Sequence, residues 1–412
     1  VRQGAVAVVA ERPLLEITAV PVLLVTNSVE ALGRLGAFHR SRTRAQVAGV
    51  TGTAGKTTVK EMLASICAQQ GATAKNHLNL NTQIGLPVSM LQASGQEDFW
   101  VMEAGISQAH DMDELGTILR PDVAVVINVG PAHVEGLGDE ANVARHKLNL
   151  FTYVVPDGVG VYSLDHPSLV ERAKDLSHPK TLVRFTSQNH PEAEVSAAYL
   201  GMDAGAAEGK GRYLVRVGDD AFEATMRCQG SLFAENVAAA AATAQALGVT
   251  LEAIKAGLEA FEAAEHRFQT AQAGTWTVID DAYNANPLSM AKALVTAREI
   301  AAERDLILVT GEMRELGEAT EESHLELGRN MAATGAAMIF WKGACEDQVR
   351  QGLAEAGWQG EFAPLVDTSD AASFVRICRE DAGLNGGVVF VKGSRANALE
   401  RFVSELLREA RA

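Results

Sequence analysis

Cysteine is scarce in this chain, with Cys67, Cys228, Cys345 and Cys378 as the only four in 412 residues. None falls in a Cys-x-x-Cys pair, and their spacing offers neither a disulfide framework nor a thiolate metal site. They read as free, buried thiols in a reducing compartment. Long apolar runs are also missing, so no segment reads as a membrane-spanning helix. The most apolar helical stretch, Val237 to Leu247, is mostly alanine. Positive charge is short as well. Lys plus Arg total 36 against 52 Asp plus Glu, a formal net charge of −16. That sign works against a nucleic-acid binder, which needs cations on phosphates. It leaves small anionic substrates open, since they require only a local cluster of donors. There is no internal repeat and no low-complexity tract beyond alanine-rich helices. The first residues, starting at Val1 without Met, show no signal peptide and run straight into a strand.

What is present is a chain long enough for two or three domains, with 47% hydrophobic residues to fill their cores. Ala5 to Val9 and Val22 to Val25 are β-rich runs, followed by a helix from Ser28 to His39 and a polar linker at Arg40, Arg42 and Arg44. Strands then alternate with helices. Val47 to Val50, Asp98 to Met102 and Val123 to Ile127 are apolar runs of the kind buried in parallel sheets. Residues 192 to 227 alternate, carry several glycines and predict an antiparallel meander. After two helices, near 233 to 247 and 251 to 261, a second alternation begins. Its strands are Trp276 to Ile279, Leu306 to Val309, Met338 to Trp341 and Val388 to Val391. The fold class is α/β, with a second doubly wound unit at the C-terminal end.

The strongest local signal is Thr51-Gly52-Thr53-Ala54-Gly55-Lys56-Thr57-Thr58, set between an apolar strand and an amphipathic helix. That context is what a phosphate loop needs. Glycines let backbone N–H groups turn towards phosphate oxygens, and the helix N-terminus adds partial positive charge. Lys56 would neutralise β- and γ-phosphate charge, and the Thr57 hydroxyl would ligate Mg²⁺. The bland alternative is a glycine-containing turn before a helix.

A Thr-Gly-Thr-x-Gly-Lys-Thr-Thr loop after a strand resembles the nucleotide loop of the Mur ligases and of their relative folylpolyglutamate synthase. Phe99-Trp100-Val101-Met102-Glu103 ends an apolar strand in a carboxylate, a good place for a metal ligand. Alone, such a Glu is as often merely solvated; with Ala104-Gly105 it resembles the family's Glu-x-Gly motif. Asn128-Val129-Gly130-Pro131-Ala132-His133-Val134-Glu135 resembles a family segment whose His helps hold a second Mg²⁺. On its own pattern, Lys147 reads as a solvated helix lysine. The resemblance implies more: the lysine at this place is often carbamylated and then binds magnesium through oxygen. Together these imply ATP and two Mg²⁺ sites, with Lys56, Glu103, His133 and Lys147 as catalytic residues. The metal set would be Thr57, Glu103, His133 and the Lys147 carbamate.

Further segments imply the substrates. Asn79-Leu80-Asn81-Thr82-Gln83-Ile84-Gly85-Leu86-Pro87 resembles the loop that contacts the muramyl-peptide, with Asn81 and Thr82 as contacts. Phe233-Ala234-Glu235-Asn236 stands where the family commonly has Gly-x-His-Asn. Asn236 would contact adenine, while Glu235 departs from the pattern. Glu265-His266-Arg267-Phe268 resembles the hinge into the last domain, with Arg267 reaching phosphates through its planar fork. Asp280-Asp281-Ala282-Tyr283-Asn284-Ala285-Asn286-Pro287 resembles the D-alanyl-D-alanine-adding branch. Asp281 would bind ribose, and Tyr283 and Asn286 would line the nucleotide cleft. Gly311-Glu312-Met313-Arg314-Glu315-Leu316-Gly317 agrees with that branch, as does Lys392-Gly393-Ser394-Arg395, an expected carboxylate clamp for the dipeptide.

The resemblance implies a three-domain Mur ligase architecture: a partial, apparently truncated N-terminal α/β domain (1–45), a central P-loop ATPase domain with a parallel sheet (46–268) and a C-terminal Rossmann-like domain (269–412). It implies a cytoplasmic enzyme; the excess of acid over base and the lack of long apolar runs add the expectation of a monomer with neither nucleic-acid nor membrane partner. The enzyme would join UDP-N-acetylmuramoyl-tripeptide to D-alanyl-D-alanine at the expense of ATP; the alternative is another carboxylate–amine ligase of the same fold, folylpolyglutamate synthase-like or a different Mur ligase.

Overall fold

The computed structural model describes residues 4–409 apart from 15, 16, 18, 78, 132, 133, 204–208, 366, 370 and 381, with the backbone alone at 134 and 135. It opens with two short parallel strands, β1 (Val8–Ala10) and β2 (Val22–Leu24), and a helix, α1 (Ser28–Arg42). Asn27 caps α1, its side chain accepting from the N–H groups of Val29 and Glu30. Those are two of the donors that a helix start leaves unpaired.

The middle of the chain builds one sheet of nine strands. In order come β3 (Gln46–Thr51), α2 (Lys56–Cys67), β4 (Thr73–Lys75), α3 (Gly85–Gln92), β5 (Phe99–Glu103), α4 (Asp111–Leu119) and β6 (Val123–Val126). Next are α5 (Val134–Leu137), α6 (Glu140–Leu148), β7 (Val159–Ser163), α7 (Pro167–Ala173) and β8 (Thr181–Thr186). The strands β9 (Val195–Met202), β10 (Gly211–Val217) and β11 (Asp220–Met226) form the expected antiparallel meander at one edge. Two helices close this part, α8 (Leu232–Ala246) and α9 (Leu251–Glu259).

Across the sheet the parallel strands run β4, β5, β3, β6, β7, β8. β3, β5 and β6 are buried over almost their whole length, which is why their sequences are continuous apolar runs rather than alternating ones. From β3 the chain leaves to one side, through β4 and β5, and then returns to the other, through β6. The loops at the carboxyl ends of β3, β5 and β6 therefore meet at a topological switch point, where open α/β sheets bind ligands. Behind that point lies α8, whose run of alanines is fully buried against α2 and the sheet. Side chains this small let the helix sit close on both.

Of the residues expected to form a polar linker, Arg40 and Arg42 lie in the last turn of α1 instead, and Arg44 follows the helix. Arg40 donates to the carbonyl oxygens of Leu119 and Arg120 and pairs with Asp122 at 2.8 Å, while that carboxylate also accepts from the Val47 N–H. The periodicity that ended the expected helix at His39 missed a last turn that Arg40 ties to the segment between α4 and β6. α1 packs closely on α3 and α4; a Cβ on Gly36 would come within 2.8 Å of Pro87.

The last part carries a second sheet, of six strands, in the order β12, β13, β17, β14, β15, β16. Its elements are β12 (Gln269–Ala273), β13 (Trp276–Asp280), α10 (Pro287–Ala301), β14 (Leu306–Gly311), α11 (Thr320–Ala333) and β15 (Met338–Lys342). They continue with α12 (Glu346–Glu355), β16 (Glu361–Pro364), α13 (Ala371–Glu380), β17 (Gly387–Lys392) and α14 (Leu399–Glu409). All neighbours are parallel except the β12–β13 hairpin, as the alternation of strands and helices predicts. The loops after β13, β14 and β17 face the loops after β3 and β5 across a cleft. Among the described residues no helix is long and apolar enough to cross a membrane.

Candidate active site

The cleft between the two sheets has a volume of about 410 Å³ and is walled by residues 53–58, Asn81, Thr82, Glu103, Asn236, Arg267, Asp281, Tyr283, Asn286 and Lys392, among others. Most of the residues singled out from the sequence thus share one cavity.

Its floor is the turn from β3 into α2. Gly55 precedes the helix with φ of 78°, and a Cβ there would lie 2.3 Å from Asn236 Oδ1. Both the backbone conformation and the close approach require glycine. Asn236, buried on α8, thereby presses on the loop itself. Asn128, at the end of β6, shapes the loop from the other side: its Oδ1 accepts from the Ala54 N–H at 2.9 Å and its carbonyl from the Thr53 N–H at 3.1 Å. Sequence reading gave Asn128 no role of its own, although it opens the Asn-x-Gly segment.

Two lysines converge here. Lys56 donates to the carbonyl oxygen of Gly52 at 2.9 Å. Lys147 donates to the same oxygen at 3.0 Å and is only 2% exposed. The solvated helix lysine read from the local pattern is therefore a core residue of the site. Its helix turns it inward against a loop 95 positions earlier, which no local period reveals. Burial, reinforced by the nearby Lys56 charge, holds the Lys147 ammonium well below the usual lysine range. Burial also lowers Lys56; Glu103 opposes that and Arg267 adds to it.

Glu103 ends β5, buried. Its carboxylate accepts from the Thr57 hydroxyl at 2.9 Å and from Asn81 Nδ2 at 2.6 Å. Asn76 clamps its backbone, accepting from its N–H at 2.9 Å and donating to its carbonyl at 3.0 Å. Asn76 is a second residue that sequence reading passed over. Thr82 accepts from the Gly85 N–H at the start of α3. It also borders a second cavity, of about 870 Å³, between α1 and α4. His133 lies outside the described residues.

The opposite wall comes from the hinge and the last sheet. His266 and Phe268 both adopt positive φ, 58° and 56°, a conformation that bulky side chains rarely take. They bracket Arg267 and aim it back at the loop, where Nη2 donates to Thr57 Oγ1 at 3.2 Å. The Arg267 guanidinium lies 3.8 Å from the centre of the Tyr283 ring. Asn286 caps α10 and donates across the cleft to the Thr53 carbonyl at 3.3 Å. Asp281 pairs with Lys392 at 2.5 Å, and Lys392 also donates to the Asn284 carbonyl. Burial raises the Asp281 carboxyl, while Lys392 pulls it back. The ammonium expected to clamp the dipeptide is thus engaged with Asp281. The Ser394 hydroxyl is likewise held, donating to Asn397 Oδ1 at 2.8 Å. The Arg395 side chain, 63% exposed, lies 5.4 Å from the Tyr283 ring.

Lys56, Lys147 and Arg267 all contact the loop that Glu103 touches through Thr57, an excess of positive charge in a largely buried setting. The Thr51 hydroxyl, fully buried beside them, has no hydrogen-bond partner among the described residues. A polyanion with several acceptor oxygens would balance that charge. Glu103 and Thr57 offer hard oxygen ligands in mutual contact, the donor type Mg²⁺ selects. Among the described residues no three His, Cys, Asp or Glu side chains gather as a metal cluster.

Known proteins agree with this architecture. Residues 50–244 match the Mur ligase middle domain and residues 266–395 the Mur ligase, glutamate ligase domain. The UDP-N-acetylmuramoyl-tripeptide–D-alanyl-D-alanine ligase of Escherichia coli is 31% identical over 98% of this chain and 85% of its own length. The crystal structure of MurF from Acinetobacter baumannii superposes with a TM-score of 0.85 at 27% identity, over 97% of this chain and 84% of that one. MurF ligase from Thermotoga maritima, solved with ADP, gives 0.82 at 25% identity, over 100% of this chain and 90% of that one. The chain belongs to the Mur ligase family, in the branch of the UDP-N-acetylmuramoyl-tripeptide–D-alanyl-D-alanine ligases.

Proposed function

We propose that this protein is an ATP-dependent, ADP-forming amide ligase that adds D-alanyl-D-alanine to UDP-N-acetylmuramoyl-tripeptide, a step of peptidoglycan precursor synthesis. The observation that carries the reading is the cleft itself. One wall is a phosphate loop with a buried excess of cations, and the other is the Asp281–Tyr283–Asn286 segment and Lys392.

ATP is placed with its phosphates against Thr51 to Thr58, its adenine towards Asn236 and its ribose towards Asp281. Lys56 and Arg267 would hold phosphate oxygens. Lys392 would fix the orientation of Asp281 and complete the clamp for the dipeptide with Ser394 and Arg395. Magnesium would be held at two sites by Thr57, Glu103, His133 and a carbamate on Lys147, and when bound it would neutralise phosphate charge. The lowered pKa of Lys147 supports the carbamate, because only a neutral amine can add CO₂.

The tripeptide is placed in the cavity between α1 and α4, its reacting end reaching the cleft past Thr82 and Asn81. Thr82 borders both cavities, which supports that path. The tripeptide carboxylate attacks the γ-phosphorus, the bond to the β-phosphate oxygen breaks, and ADP and an acyl phosphate result. The dipeptide amine then attacks the acyl carbon; the C–N bond forms, the C–O bond to phosphate breaks, and the amine proton is released. Positioning and charge neutralisation carry the first step. We take the units as 1–45, 46–268 and 269–412, and the chain as a cytoplasmic monomer.

The test is phosphate release from ATP and Mg²⁺ with UDP-N-acetylmuramoyl-tripeptide, with and without D-alanyl-D-alanine. Dipeptide-dependent release with a new amide by mass is expected. Release without amide formation would instead mark a phosphotransferase.

A further inference from the structure

Glu235 is the residue by which this chain departs from the family's Gly-x-His-Asn pattern. Its carboxylate is 4% exposed and collects three donors. His166 Nε2 lies 2.7 Å from Oε1; Lys292 Nζ and Asn128 Nδ2 lie 2.6 and 2.7 Å from Oε2. Asn128 is the side chain that holds the Ala54 N–H, and its carbonyl holds that of Thr53. Lys292 belongs to α10, in the last unit of the chain. The same helix touches the phosphate loop directly through its cap, Asn286, which donates to the Thr53 carbonyl.

α10 thus reaches the loop twice, once through Asn286 and once through Lys292, Glu235 and Asn128. The second route is the electrostatically demanding one. A carboxylate this deeply buried is costly without a cation, and hydrogen bonds from neutral donors do not fully replace one. The cation on Oε2 comes from the other side of the interface, so docking of the last unit completes the charge balance around Glu235. The same carboxylate oxygen orients Asn128, which fixes two N–H groups of the loop.

We propose that Glu235 is a positioning residue that couples docking of the last unit, sensed through Lys292, to the geometry of the phosphate loop, set through Asn128. The inference rests on reading residues 51–58 as the ATP loop, and it adds a device specific to this chain's glutamate.

The experiment is a double-mutant cycle on the full chain with Lys292→Met, Glu235→Gln and the pair, together with Lys292→Arg. Ligation kcat, KM for ATP and the distance between fluorophores on α9 and α12 are read for each. Lys292→Met is expected to lower kcat roughly tenfold, within the range of a typical coupling energy, with KM for ATP changed less than about threefold. The fluorophore distance lengthens. Glu235→Gln gives a similar loss, the double variant loses no more than the worse single, and Lys292→Arg keeps kcat within about threefold of wild type. Multiplicative losses in the pair, or a Lys292→Arg that behaves like Lys292→Met, would overturn the coupling. If Glu235→Gln does not fold, the two Lys292 variants decide, since that side chain is 28% exposed. If the wild type shows no ligation at all, the functional reading fails, and the fluorophore distance alone decides the coupling: no change in Lys292→Met overturns it.

Discussion

The ammonium groups of Lys56 and Lys147 share one acceptor, the carbonyl oxygen of Gly52, at 2.9 and 3.0 Å. Two cations on one carbonyl, one of them buried, repel each other and resist protonation. For Lys147 burial is the larger cause and Lys56 the second. The folded-state pKa lies below the ordinary 10.5, so the folded protein binds fewer protons than the unfolded chain in the window between the two values. Stability therefore rises with pH through that window, and the full penalty applies below it. Lys147→Met should remove the penalty and hold or raise the melting temperature at neutral pH, while lowering ligation on the order of 10²–10³-fold. A variant less stable than wild type at neutral pH would show that the amine is not the strained group. Ligation by the wild type should also fall in CO₂-depleted buffer and return with bicarbonate.

Gly55 cannot bear a side chain. A Cβ would lie 2.3 Å from Asn236 Oδ1, and φ of 78° is unfavourable for any L residue. Gly55→Ala should push Asn236 and the loop apart and raise KM for ATP at least roughly tenfold, about 1.4 kcal/mol of nucleotide binding. Pairing it with Asn236→Ala should recover part of the loss by opening space. No recovery, measured by ATP titration of both variants, would mean that backbone strain alone sets the effect.

Tyr283 holds Arg267 by its ring, 3.8 Å from the guanidinium carbon. Partly desolvated cation–π contacts contribute about 0.5–2 kcal/mol, so Tyr283→Ala should raise KM for ATP by roughly 2- to 30-fold. Tyr283→Phe should stay near wild type, because the ring remains. Equal losses in both variants would move the role from the ring to the hydroxyl.

Much of this site was legible in the sequence because its chemistry sits at strand ends. β3, β5 and β6 are apolar runs, and each leads to a residue that lines or shapes the cleft: Thr53, Glu103 and Asn128. The meander and the second parallel sheet followed from alternation and spacing. What escaped depends on contacts between distant segments. Lys147 has the local pattern of a solvated helix lysine and becomes buried only because α6 packs against the phosphate loop. Arg40 reads as linker until Leu119, Arg120 and Asp122 surround it. β4, β12 and β16 are short edge strands with no apolar run to mark them. Glu235 showed as a departure from a motif, but its partner Lys292 lies 57 residues on, in another unit.

Glu235 also leaves a signature in acid. Burial alone would raise its carboxyl, but Lys292 and His166 outweigh it and the value falls to about 2, from an ordinary 4.5. The folded-state pKa lies below the unfolded one, so the ionised carboxylate contributes stability that is fully present above about 4.5 and is lost as pH falls through about 2. Across that window the unfolded chain binds up to one more proton than the folded protein at this site. Each such proton steepens the dependence of unfolding free energy on pH by about 1.4 kcal/mol per pH unit. Urea unfolding of wild type and Glu235→Gln between pH 5 and pH 3 should therefore give a shallower slope for the variant. Because the amide, like the protonated carboxyl, is neutral, the two curves should approach each other towards low pH and differ by a constant amount above about 4.5. Parallel curves across the whole range would mean that Glu235 titrates alike in the folded and unfolded states. The carboxylate would then not be the charged centre on which Lys292, His166 and Asn128 converge.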